Sequence, residues 1–322
     1  MPDLIGGGGL EVQMRETAKA LEEIGVEVVS QFSGGETVDI IHAFGADPSM
    51  WNHLKNWTRN VVPLVLSPVL VISSPAQRRV ETVLSRLRFG ASNSATMRRA
   101  VAVRADRVVA LHDGEARDLH RWYGVPYDRI SVIGNGSRAE APEESIDFQR
   151  EGIVVVGTVG ARKRQLELVQ WWKSEWPHLY IAGPMSAGWR ESDQFATAVR
   201  QKDNITYLGR LEPAVLWKLQ QRCVATLSAS VAEGESLAVI DSLRLGTKAI
   251  VRRGPGVSSL TARFGDGVLT YSGPSELDDL LCGRVGAVDS RPPAIPASWN
   301  EVARQIADLY ASLTWSSADR RL

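Results

Sequence analysis

The chain has 322 residues, is 44% apolar and carries 37 basic against 37 acidic residues, a formal net charge of zero. That length suits a protein of two domains with a core in each, and the neutral balance gives no bulk attraction to nucleic acid or to a membrane. Cys223 and Cys282 are too few and too far apart for a disulfide framework or a zinc site, no apolar run reaches 18 residues, and no basic leader precedes an apolar core, so a cytoplasmic protein without a membrane span is expected.

Short β-rich runs alternate with amphipathic helical stretches along the whole chain, the pattern of parallel α/β domains. Gly6 to Gly9 come first, where glycine lets a backbone approach a phosphate. The helix after them is expected to bury Leu10, Met14, Ala18 and Leu21, opposite Arg15, Glu16, Lys19 and Glu22. Strand candidates in the first half are Val26 to Phe32, Val38 to Phe44, Val61 to Leu66, Arg107 to Leu111 and Ile130 to Ile133. His112, in the turn Leu111-His112-Asp113-Gly114, reads as a capping or partly exposed histidine. Ser137 to Glu151 holds five acids, one proline and no apolar period, which is the composition of a linker. Strands resume at Ile153 to Val156, Leu179 to Ala182, Ile205 to Leu208, Ala225 to Ser228, Lys248 to Val251 and Gly267 to Tyr271. A last helix, near Ser298 to Leu313, follows a proline-rich passage.

The most informative stretch is Glu233-Gly234-Glu235-Ser236-Leu237-Ala238-Val239-Ile240-Asp241. It follows the apolar run Val224 to Ser228 and precedes Leu243 to Gly246, so it occupies a strand-loop-helix turn closed by a C-terminal glycine. Amides at such a helix start have no intrahelical partner and carry the positive end of the dipole, an environment for phosphate. Eight helical steps would set Glu233 and Asp241 roughly 12 Å apart, too far to share one bond as acid and base. They suit opposite ends of one long ligand.

This Glu-x7-Asp spacing resembles the Glu-x7-Glu donor signature of retaining glycosyltransferases of family 4 (glycosyl transferases group 1). The resemblance implies the GT-B fold, with two Rossmann-like, doubly wound parallel-sheet domains facing each other across a cleft. It also implies that Glu233 faces the donor sugar, that the amides of Glu235, Ser236 and Leu237 meet the phosphates, and that Asp241 takes the ribose hydroxyls. Further segments follow in the family's order. Gly8 and Gly9 correspond to a phosphate loop, although only Met1 to Ile5 precede the glycines where the family has a full strand. Ile130 to Gly136 corresponds to the final N-domain strand with its Asn-Gly turn, and Asn204 to Gly209 to a segment near the base. In Val156-Gly157-Thr158-Val159-Gly160-Ala161-Arg162-Lys163, Lys163 matches a cation that neutralises the leaving diphosphate. Thr158 stands where the family has its arginine, which leaves Arg162 or Arg164 to supply the second charge. Where many members place a histidine after the fourth N-domain strand, the chain reads Leu66-Ser67-Pro68, so Ser67 and His112 are the acceptor-side candidates.

The implied division is an acceptor-binding domain over 1–137, a linker over 138–151, a nucleotide-sugar domain over 152–297, and a helix over 298–322 crossing back to the first domain. The implied activity is transfer of a sugar from a UDP- or GDP-sugar to an acceptor hydroxyl with retention, with Glu233 and Lys163 as catalytic groups and no obligatory metal or other cofactor. Two alternatives share the fold, a nucleotide-sugar-binding protein without catalysis and a nucleotide-sugar 2-epimerase. A Rossmann dehydrogenase does not fit, because Gly6 to Gly9 is not a Gly-x-Gly-x-x-Gly fingerprint after a strand.

The acceptor side has one distinctive feature. From Ala76 to Arg107 the arginines 78, 79, 86, 88, 98, 99, 104 and 107 face only Glu81 and Asp106, a local balance of +6. Val80, Val83, Leu84 and Leu87 have helical spacing, so the segment reads either as an amphipathic helix with a solvated basic face or as a polyanion site. In the second reading Arg78, Arg79, Arg86, Arg88, Arg98 and Arg99 contact a hydroxymethylated DNA or an anionic lipid-linked glycan at a membrane surface. Four phosphate contacts on duplex DNA would give a slope of log affinity against log salt near −3.6, from about 0.9 for each contact. Paired Arg→Gln changes in the segment are expected to weaken acceptor binding and flatten that slope in a salt titration, and binding that ignores salt would exclude a polyanion.

Overall fold

The computed structural model describes residues 9–29, 37–46, 62–70, 80, 94–140, 149–231, 233–284 and 294–319. The chain falls into two compact units, Met1–Gly136 with Ser298–Leu322, and Ser137–Ala297.

The first unit holds a four-stranded parallel sheet in the order β1-β2-β3-β4, with β1 Ile41–Phe44, β2 Leu64–Ser67, β3 Arg107–Ala110 and β4 Ile130–Val132. Its core gathers Leu64, Leu66, Val101, Val108, Ala110, Leu119 and Tyr123, drawn from the strands, from α2 (Ser94–Arg104) and from the turns that extend α3 (Asp113–Asp118). Helix α1 (Gly9–Glu23) lies beside the C-terminal helix, Trp299–Asp319. It buries Gln13, Thr17, Ala20 and Leu21 and leaves Met14 exposed. The expected stripe through Leu10, Met14 and Ala18 is thus rotated by about one position, because the neighbouring helix, and not apolarity alone, selects the covered face. The first strand candidate also differs: Val26 to Val29 belongs to no strand. Among the described residues β1 pairs only with β2, so no ladder exists on that side to satisfy a further strand's backbone.

The second unit begins with β5 (Ile153–Val156) and α4 (Gln165–Trp171) and continues with β6 (Leu179–Ala182), α5 (Ser192–Arg200), β7 (Ile205–Gly209) and α6 (Pro213–Arg222). It then restarts beside β5 with β8 (Ala225–Ser228), α7 (Leu237–Arg244), β9 (Lys248–Arg252), α8 (Val257–Phe264), β10 (Val268–Tyr271) and α9 (Pro274–Asp279). The sheet order is β10-β9-β8-β5-β6-β7, all parallel. That is the doubly wound order, with its winding reversed between β5 and β8. Both faces are covered, which is why these strands are continuous apolar runs. Leu168, Val169 and Trp172 pack on one face with Ile250, whereas Val239, Ile240 and Leu243 pack on the other with Ala249 and Val251. The helices that follow β5 and β8 therefore leave to opposite faces, the arrangement that in open parallel sheets places a crevice at the C-terminal ends of the two strands. No described helix is long and apolar enough to cross a membrane.

In the first unit, His42 of β1 links two elements. Its Nε2 is 2.8 Å from Ser67 Oγ and its Nδ1 is 2.7 Å from the Tyr310 hydroxyl of the C-terminal helix, while its ring stacks on Phe44. Desolvation pushes the imidazole pKa down to about 3, and the same cause raises that of Tyr310. The neutral ring is the form that can donate to one hydroxyl and accept from the other. Between pH 6.5 and about 3 the unfolded chain binds a proton that the folded state refuses, so this residue costs stability as pH falls through that window and nothing above it. The loss is roughly 1.4 kcal/mol for each pH unit. Hydrogen exchange of the β1 and β2 amides is expected to quicken from pH 6 to 4 more steeply in the wild type than in His42→Gln, after correction for intrinsic rates. Parallel profiles would assign the acid sensitivity to other groups.

Candidate functional site

The loop leaving β5 is shaped by a close backbone approach. Gly157 (φ 133°) lies against Gly183 at the end of β6, and a Cβ on Gly183 would sit 2.1 Å from the Gly157 carbonyl oxygen. Only glycine fits there. The loop then runs along Gly183–Ser186, with Val159 N–H donating to Pro184 O at 2.8 Å and Ser186 N–H to Val159 O at 2.8 Å. Gln165, fully buried at the start of α4, clamps it: the amide oxygen accepts from Gly160 N–H at 3.1 Å and the amide nitrogen donates to Thr158 O at 3.1 Å. A 3-10 turn over Ala161–Lys163 follows, and it folds Lys163 back over Gly157, its Cε 3.6 Å from where a Cβ on that glycine would lie.

The loop leaving β8 meets it. Ser230 Oγ donates to Arg162 O at 3.3 Å, and the Lys163 ammonium is ion-paired with the Glu233 carboxylate, both side chains being largely buried. Two residues 70 positions apart in sequence are thereby joined at the reversal of the sheet. Ser236 then starts α7, its carbonyl accepting from the amides of Val239 and Ile240. Leu237 and its immediate neighbours supply the helix-start donors that have no intrahelical acceptor. Glu235 and Ser236 are buried, and the Glu235 carboxylate is paired with Arg263 of α8. At its far end α7 closes in a Schellman turn, with Gly246 (φ 70°) donating to Leu243 O and Thr247 to Ser242 O.

The three candidate cations of the β5 loop fare differently. Arg164 adopts a left-handed backbone (φ 53°) and donates to Glu167 at 2.8 Å, and Glu167 also receives Arg252 at 3.0 Å. Desolvation raises the Glu167 pKa, but the hydrogen bonds from Arg252 and Arg164 outweigh it and leave that carboxyl below its ordinary value. Arg164 is therefore committed to a charge network beneath the loop. Arg162 is exposed, and among the described residues its guanidinium has no hydrogen-bond or ion-pair partner. Asp241 holds two protein donors: Oδ1 accepts from Ser137 Oγ at 2.6 Å and Oδ2 from Trp217 Nε1 at 3.3 Å.

Residues 29–140 match the sequence profile of Glycosyltransferase Family 4. This is the family whose motifs the sequence resembles. The fold agrees: a sucrose-phosphate synthase from Thermosynechococcus elongatus superposes with TM-score 0.68 at 15% identity, over 96% of this chain and 94% of that one. AviGT4, a glycosyltransferase involved in avilamycin A biosynthesis, gives TM-score 0.61 at 14% identity over 96% and 90%. HepE from Anabaena, in complex with UDP and glucose, gives 0.57 at 17% identity over 95% and 83%. No curated protein matches the chain by sequence. The profile covers about a third of the chain, and the superposed structures give the fold, which is GT-B.

The remaining candidates from the sequence belong to the first unit. Ser67 is buried at the end of β2 with its hydroxyl against His42. His112 caps α3, its Nδ1 accepting from Glu115 N–H at 3.1 Å. The buried Glu115 carboxylate accepts from Leu70 N–H at 2.6 Å and Leu111 N–H at 2.7 Å, which ties the loops after β2 and β3 together and holds Val69 at φ 48°. Arg98 and Arg99 are half-buried on α2, and Arg99 packs against Gly124. Gly9 is exposed at the start of α1. Gly8, Arg78, Arg79, Arg86 and Arg88 lie outside the described residues.

Sequence reasoning missed His42, Glu115, Gln165 and Arg263. A histidine inside the apolar run Ile40 to Phe44 was a signal that could have been used; a buried glutamine clamping two backbone groups leaves none. Arg263→Met removes the guanidinium that faces an almost wholly buried Glu235 carboxylate and is expected to cost about 3 kcal/mol in urea unfolding, the low end for a broken buried pair because the arginine is partly exposed. Adding Glu235→Gln is expected to recover most of that loss, and no recovery would show that Arg263 acts elsewhere.

Proposed function

We infer that the protein is a retaining glycosyltransferase that moves a sugar from a nucleoside diphosphate sugar to an acceptor hydroxyl, using the crevice between β5 and β8 as its donor site. The observation that carries this reading is the placement of Lys163 and Glu233 together at that reversal, beside the first turn of α7. HepE, which shares the fold, has been crystallised with UDP-glucose, and this favours a UDP-sugar as the first donor to test.

As the glycosidic bond breaks, negative charge builds on the departing diphosphate while the sugar gains oxocarbenium character. Preorganised donors aimed at that oxygen supply the main stabilisation. In this reading they are the Lys163 ammonium, the amides of Glu235 to Leu237 and the exposed Arg162 guanidinium, which takes the role of the arginine that Thr158 replaces. Arg164 is not the substitute, since Glu167 and Arg252 hold it in another network. Glu233 receives the sugar hydroxyls. Asp241 takes the ribose by sharing or displacing its bonds from Ser137 and Trp217. A departing phosphate oxygen accepts the acceptor's proton, so the scheme needs no separate protein base. The acceptor-side candidates remain Ser67, His112, Arg98 and Arg99.

A thermal-unfolding screen of sugar nucleotides tests the donor class, because a ligand at 100 times its Kd stabilises by about 2.7 kcal/mol. A selective response to UDP- or GDP-sugars is expected. With the responding donor and its acceptor, Lys163→Met is expected to lower kcat about 10²- to 10³-fold, and Arg162→Ala to slow transfer more than Arg164→Ala. Binding without turnover under any acceptor would favour a non-catalytic nucleotide-sugar protein.

A further inference from the structure

In the crevice the group that would neutralise the diphosphate is paired with a carboxylate of the protein. Lys163 is folded over Gly157 and paired with Glu233, the carboxylate assigned to the sugar. Around them Arg164 is bound to Glu167 and Arg263 to Glu235. A diphosphate entering the crevice therefore has to take Lys163 from Glu233. The released carboxylate then meets one of two situations. With a sugar nucleotide it finds hydroxyl donors on the sugar, and its lost ion pair is compensated. With a bare nucleoside diphosphate it finds none, and it continues to compete with the phosphate for the ammonium.

We propose that Glu233 is a specificity-determining residue that makes the site prefer a sugar nucleotide over the bare diphosphate, by closing on Lys163 whenever no sugar occupies it. This inference rests on the donor-site reading above and assigns to Glu233 a role in the free and product-bound states as well as in transfer. It implies that the enzyme limits inhibition by its own product, since loss of the sugar restores a competitor for the phosphate.

The test is calorimetric titration of UDP and UDP-glucose, with GDP and GDP-mannose as the second pair, into the wild type, Glu233→Gln, Lys163→Met and the double variant. Glu233→Gln keeps the shape and removes the charge, and it is expected to bind the bare diphosphate about tenfold more tightly than the wild type, while the preference for the sugar nucleotide shrinks. Lys163→Met is expected to weaken both ligands, and Glu233→Gln is expected to add no tightening on that background, because the competed cation is gone. Equal or weaker diphosphate binding in Glu233→Gln, with an unchanged unfolding temperature, overturns the inference and leaves the donor site standing. Tightening that persists without Lys163 also overturns it, since the effect would then be general electrostatics. If the wild type binds neither pair, the donor-site reading itself fails and takes this inference with it.

Discussion

The reversal of strand order at β5 and β8 is the constraint on which the candidate site depends. A parallel sheet covered on both faces has to send successive crossovers to one side and then to the other, and only at the reversal do neighbouring loops part. Most of what is assigned to the donor comes from those two loops, Thr158 to Arg164 from one and Glu233 to Leu237 from the other; Asp241 on α7 and the Gly8-Gly9 stretch are the exceptions. Neither loop carries the site alone. Lys163 without the β8 loop would be an exposed lysine, and Glu233 without the β5 loop an ordinary acid near a helix start.

Precision in those loops comes from packing and buried polar groups acting together. The contact with the Gly157 carbonyl excludes any side chain at Gly183, and Gln165 satisfies the buried Gly160 N–H and the Thr158 carbonyl. On the other side the Glu235–Arg263 pair anchors the start of α7 to α8. The left-handed backbone at Arg164 costs about 1–2 kcal/mol, and backbone hydrogen bonds with Gly160 and Leu168 together with the pairing to Glu167 offset it. Loops held by so many independent bonds keep the Lys163 ammonium and the Glu233 carboxylate close together.

The first sheet shows a related arrangement. The ends of β2 and β3 are joined through Glu115, a buried carboxylate accepting from two backbone amides, and β1 and β2 are joined to the C-terminal helix through His42. Both devices are polar bridges between segments distant in sequence, Glu115 buried and His42 half-buried. Their partners, Ser67 and His112, were singled out for their position at strand ends, and the structure gives each a defined structural bond.

Periodicity and turn chemistry read from the sequence were enough for the strands of the second unit: β5, β6 and β8 span the expected residues, because strands buried on both faces are unbroken β-branched and apolar runs bounded by polar turns. The strand-loop-helix placement of Glu233 to Asp241 was legible too, because an apolar run before it and a closing glycine after it mark the two elements it joins. Two kinds of feature were not legible. Where one element covers another, local apolarity does not decide the face, so α1 buries Thr17 and Gln13 in place of Met14. Which charges are free also depends on contacts between residues far apart in sequence: the pattern Arg162-Lys163-Arg164 offers three equivalent cations, and only the fold pairs Lys163 with Glu233, ties Arg164 to Glu167 and leaves Arg162 exposed. The order of residues fixes which groups a loop contains, but the partners of a charge are set by the sheet topology that brings distant loops together.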